Sequence, residues 1–200
     1  MLKPNGYDEV QAAGEFTPVE LGGHYCVIKQ VKETTSKTGK PMIVVCIDFC
    51  SPDKQENYFM DSFKDDVRPD KKWPHNGTIY ILTQDYQDPN KVSRNFKTFC
   101  TCVEKSNSGF EIQWGDNWGA QFKGKKIGAV YGEVENEYNG KTSMRHELRW
   151  FCSWDRVDKA SVPDPKMLNN SSAPASTAKP STDADGFMNV PQGADDEIPL

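Results

Sequence analysis

The sequence has no long hydrophobic run. Nowhere do eighteen apolar residues follow one another, so no membrane-spanning helix is expected. The opening MLKPNGYDEV carries no apolar stretch behind its single lysine, and a soluble, intracellular chain without a signal peptide is the expectation. Catalytic signatures are missing as well. There is no G-x-S-x-G, no H-E-x-x-H and no glycine-rich dinucleotide fingerprint after a strand. The NGKT at 139–142 would need a glycine at 135 to close a phosphate loop, and that position holds Glu135.

A zinc pattern is lacking too. The cysteines are Cys26, Cys46, Cys50, Cys100, Cys102 and Cys152, with no C-x-x-C among them, and His24, His75 and His146 are scattered. Most of these thiols lie in strand-like segments such as MIVVCIDFC, which reads as reduced apolar core and not as a disulfide framework. Neither metal nor cofactor is expected, and the chain reads as a non-enzyme.

Positive charge is short overall, with 24 Lys+Arg against 29 Asp+Glu. The imbalance is local: residues 1–160 have net charge −1 and residues 161–200 have −4. A nearly neutral body excludes a uniformly cationic, histone-like DNA binder and leaves room for a local basic groove.

What is present is one core's worth of apolar residues, 36% hydrophobic and 11% aromatic. GGHYCVIKQVKE and PMIVVCIDF read as antiparallel strands over 23–33 and 41–49, joined by the turn-rich TTSKTGK. ENYFMDSF (56–63) reads as a third strand. GTIYIL (77–82) reads as either a further strand or an insertion. In NKVSRNFKTFCTCVEKSN, Val92, Phe96, Phe99, Cys100 and Val103 mark one face of a helix.

Two last runs, 126–138 and 141–155, flank Asn139-Gly140, a strong hairpin signal because a type I′ turn needs positive φ at both positions. If Tyr138 opposes Lys141, then Tyr131 faces Leu148, Ala129 faces Trp150 and Ile127 faces Cys152 on an apolar side. The other side pairs Val134 with Arg145, Val130 with Arg149 and Gly128 with Phe151. Three antiparallel strands, one helix and a hairpin predict a mainly β chain. The order is that of an OB-fold-like, five-stranded antiparallel Greek-key barrel with its helix between the third and fourth strands.

Aromatics with cations at hand point to single-stranded nucleic acid, whose bases stack on rings while cations follow its backbone. The candidates are Tyr25, Tyr58, Trp73, Trp114, Trp118 and Phe151, with Lys37, Lys40, Lys123, Lys125, Lys126, Arg145 and Arg149. Core packing competes for each ring; it is favoured for Trp150 and Trp154 and left open for Trp114 and Trp118. The most enzyme-like cluster is Glu133, Glu135 and Glu137 with His146 opposite, which could hold Mg²⁺ in a nuclease. Solvated strand-end acids explain it as well, and that reading is preferred.

Residues 161–194 are rich in Pro, Ser, Ala and Asn and lack Trp and Tyr, and read as a disordered tether spanning roughly 30–35 Å. Asp195, Asp196, Glu197, Ile198, Pro199 and Leu200 close the chain as an acidic-apolar tip that a partner can read, the side chain in a pocket and the acids on Lys or Arg. Residues 1–160 are thus the expected DNA-binding domain.

GGHYCVIKQVKETTSKTGKPMIVVCIDF, FKTFC and GKKIGAVYGEVENEYNGKTSMRHELRWFCSWDRV resemble a family of phage-encoded proteins associated with phage replication and single-stranded DNA binding, over about residues 15–158. The tail resembles that of bacterial and phage single-stranded DNA-binding proteins. The bacterial tips close with Pro-Phe, where this chain has Pro199-Leu200: the apolar plug is kept and the ring is lost. The resemblance implies a protein of the host bacterial cytoplasm that coats single-stranded DNA non-specifically and recruits replication or recombination proteins through its tip. Homo-oligomerisation stays open. The rival reading is a protein-interaction or recombination mediator module without strong DNA binding.

Overall fold

Alternation decides the central strand. In the computed structural model, which describes residues 2–5, 7 and 17–168, β1 (Gly22–Thr35) turns His24, Cys26 and Ile28 inward and Tyr25, Val27 and Lys29 outward. A bulge between Ile28 and Gln30 resets the alternation so that Val31 is again inside. In β2 (Pro41–Phe49) every residue from Met42 to Phe49 is buried, the continuous apolar run expected of a strand covered on both faces.

The segment 56–63, expected as the third strand, is instead helix α1 (Tyr58–Asp65). The partner of its first turn is remote in sequence. Asp48 on β2 is buried, and its Oδ1 accepts the N–H groups of Phe59 at 3.0 Å and Met60 at 3.2 Å. A carboxylate there satisfies donors that a helix start leaves open and opposes the positive end of the helix dipole. Lys29 Nζ stands 3.5 Å from the other oxygen. The third strand is β3 (Thr78–Leu82), within the segment the sequence left as strand or insertion.

Helix α2 (Arg94–Ser106) buries Phe96, Phe99, Cys100 and Val103, the expected face; Val92 precedes the helix and is exposed. The last two strands, β4 (Lys126–Tyr138) and β5 (Lys141–Cys152), turn through Asn139 at φ 52° and Gly140 at φ 71°. The chain is mainly β, a five-stranded antiparallel sheet in the order β3-β2-β1-β4-β5. Among the described residues, three short 3-10 helices accompany the two α-helices: His75–Gly77, Trp118–Phe122 and Trp154–Lys159. Among the described residues no helix is long and apolar enough to cross a membrane.

The hairpin register follows the sequence expectation from Tyr138↔Lys141 to Tyr131↔Leu148 and then slips. A bulge at Val130/Tyr131 makes the next pairs Val130↔Trp150, Ala129↔Phe151 and Gly128↔Cys152. One extra residue flips everything after it. Phe151, expected on the cationic face, is therefore in the core at 2% exposure, its ring 5.5 Å from that of Phe99. All six cysteines are free, and burial pushes the thiols of Cys100 and Cys152 up to about 12, which makes them poor nucleophiles.

Of the stretch read as a tether, residues 161–168 are described, and Lys166 and Leu168 lie along β4 beyond the end of its pairing with β1. Lys166 N–H donates to Glu133 O at 2.9 Å, and Lys166 O accepts from Glu135 N–H at 2.8 Å. The rest of the tether and the tip at 195–200 lie outside the described residues.

Asp48→Ala removes the acceptor from the start of α1 and strands Lys29 beside a buried site. A loss of about 3 kcal/mol is expected, read as a lower urea midpoint at unchanged slope. An unchanged midpoint would mean that α1 does not depend on this carboxylate.

Candidate nucleic-acid interface

The candidate interface centres where α2 ends and β4 begins. Asn107, the first residue past α2, donates through Nδ2 to Val103 O and Lys126 O, both at 2.8 Å, and accepts Lys126 N–H on Oδ1 at 3.0 Å. One side chain thus closes the helix and fixes the first residue of the strand. From the other side Gly124, at φ 78°, turns the chain so that its N–H reaches Ile28 O at 2.8 Å, while Lys125 O accepts Ile28 N–H at 2.9 Å. The lysine pair is therefore held by backbone on both flanks.

Each of these lysines sits over a ring. Lys125 Nζ is 4.3 Å from the centroid of Phe110, and Lys126 Nζ is 4.7 Å from that of Trp154. Trp154 is placed by Ser106, whose Oγ accepts its backbone N–H at 2.9 Å, and its ring packs on Tyr25 at 4.7 Å. Tyr25 donates its hydroxyl to Asp158 at 2.7 Å; that bond, with some desolvation, pushes the phenol above its ordinary value. A cleft of about 410 Å³ lies between Ser106, Asn107, Phe110, Lys125 and Lys126.

Gly109 and Phe110 also wall a second cleft, of about 520 Å³, which contains Trp114 and Trp118. The two indoles stack at 5.6 Å with an interplanar angle of 18°. Trp118 is the inner ring at 6% exposure and Trp114 the outer at 69%. Trp118 is seated by Gly119, whose position leaves no room for a side chain: a Cβ there would lie 2.3 Å from Val31 O. Gln121 holds the loop, accepting Gln113 N–H at 2.8 Å and donating to Gln113 O at 2.8 Å. The exposed ring is thus carried on a fixed loop.

Of the residues expected from sequence, Lys125 and Lys126 line the first cleft, Trp114 and Trp118 the second, Lys123 is exposed on the same turn, and Tyr25 lies outside both, against Trp154. Others are engaged elsewhere. Lys40 lies over Tyr86 at 3.5 Å, and Lys37 is exposed on the loop before it. Trp73 donates Nε1–H to Ile47 O at 2.9 Å with its ring on Phe63, and Tyr58 donates its hydroxyl to Thr17 O at 2.8 Å. Arg145 is on β5 opposite Val134, and Arg149, the bulge residue, donates to Asp164 O at 2.9 Å. Phe151 is in the core.

The Mg²⁺ cluster is also differently engaged: Glu135 accepts Leu168 N–H at 3.0 Å, and the ring of His146 bonds to Val19 O. Compared with known proteins, the chain matches no protein-family model and no curated protein. Three members of the interface escaped the sequence reading. Trp154 sits in an apolar run and reads as core, Phe110 has no periodic partner, and Asn107 looks like any residue after a helix.

Asn107→Ala removes three hydrogen bonds at once. The expected result is faster hydrogen exchange of the Lys126 amide with about 1–3 kcal/mol lost in stability. Unchanged protection at Lys126 would show that the strand start is held without the clamp.

Proposed function

We propose that this chain is a non-enzymatic single-stranded DNA-binding protein, of the kind phages use to coat exposed strands in replication or recombination. The observation that carries the reading is one strip of surface. It runs from Tyr25 and Trp154 through Lys126, Lys125 and Phe110 to Trp114, with the two ammonium groups over the Trp154 and Phe110 rings and Trp114 exposed at the far end. Bases can stack on such rings at about 1–3 kcal/mol each while phosphates meet the lysines. The strand order, with α2 between β3 and β4 in the chain, is compatible with the OB type, although among the described residues β3 and β5 are the two edges of an open sheet and do not pair to close a barrel. The acidic-apolar tip serves as the handle for replication or recombination proteins.

A protein-interaction module is the second reading. It is favoured by the nearly neutral body and by Asp158, Glu111 and Asp116 beside the strip.

Titration of the full chain with oligothymidylate separates the two. Binding is expected to quench the tryptophan fluorescence, to compete poorly with duplex and to weaken with salt at a slope of about −0.7 per phosphate neutralised. Lys126→Ala is expected to lower that slope by about one such unit. A flat titration at low salt would favour the interaction module.

A further inference from the structure

The second cleft has a composition unlike the first. Its platform is the open face of Trp114, and its lining includes the acidic residues Glu111 and Asp116 beside Asn117 and Gln113. Lys125 and Lys126 line only the neighbouring cleft, across Gly109 and Phe110. Carboxylates repel a phosphate, so the Trp114 cleft is the wrong place for a backbone. They accept hydrogen bonds and offer no donor, so they suit the exocyclic amine of a base. Trp118, which lines the same cleft, has a buried indole N–H without a hydrogen-bond partner among the described residues.

Resting on the single-strand reading above, we infer that the Trp114 cleft is a nucleobase subsite that selects bases bearing an exocyclic amine, cytosine above all among pyrimidines, over uracil and thymine. The base stacks on Trp114, its amine donates to Glu111 or Asp116, and the adjoining phosphate lies with Lys125 and Lys126. Cytosine offers a donor at position 4 that a carboxylate can accept, where uracil offers a carbonyl oxygen that a carboxylate cannot serve. The protein is therefore a single-strand binder with a preference at one position, which stacking alone does not supply.

The experiment compares oligodeoxycytidine with oligodeoxyuridine of equal length on the full chain at neutral pH and low salt. The two differ at the base edge and not in a methyl group. The expected result is tighter binding of the cytidine oligomer by about threefold to tenfold. That ratio should collapse toward one in Trp114→Leu and in the double variant Glu111→Gln, Asp116→Asn. Equal affinities in the unaltered chain would overturn the subsite and leave single-strand binding standing. A ratio that survives both variants would also overturn it, placing selectivity elsewhere. Failure of either oligomer to bind would overturn the subsite and the function beneath it together.

Discussion

The amide of Asn107 is the constraint on which the surface depends. Its three hydrogen bonds tie Val103 in α2 to both backbone groups of Lys126 at the start of β4. A helix end and a strand start would each leave polar backbone groups open there, and both are completed by one side chain. The neighbouring Ser106 completes Trp154 N–H in the same way. Helix α2 is seated by Phe96, Phe99, Cys100 and Val103, so the interior transmits its rigidity to the lysines and rings outside. Precision at this surface comes from the core below it.

The lysines are kept in a particular electrostatic condition. Among the described residues neither Lys125 nor Lys126 forms a carboxylate ion pair; each lies over an aromatic face. A ring orients an ammonium at about 0.5–1 kcal/mol without neutralising it. The charge stays available to a phosphate. Tyr25 is treated differently, its hydroxyl held by Asp158, which fixes the ring and adds a negative charge at that end of the strip. The acids at the two ends bound the cationic middle.

Local pattern made much of the fold legible. β1, β2, α2 and the hairpin with its Asn139-Gly140 turn all follow from periodicity and turn chemistry acting within a few residues. What escaped was set by distant partners. ENYFMDSF has an alternation compatible with a strand, and as helix α1 it buries Phe59 and gives its first N–H groups to Asp48, brought alongside by β2. Phe151 was placed on the wrong face because a single bulge, invisible in composition, reverses the alternation after Arg149. The candidate site was legible as residue types and not as an arrangement. Trp114 and Lys126 were readable from their neighbours, whereas the split of Trp118 inward and Trp114 outward depends on how Gly119 meets Val31.

The central claim is that unpaired nucleotides lie along the strip from Trp154 to Trp114. Photo-crosslinking tests it most directly: the full chain is irradiated with a single-stranded oligonucleotide carrying 5-iododeoxyuridine, and the adducts are mapped by mass spectrometry. The account predicts adducts concentrated on Trp114, Phe110, Trp154 and Tyr25. Adducts confined to the β4–β5 turn or to the 58–73 segment, with none on the strip, would contradict it.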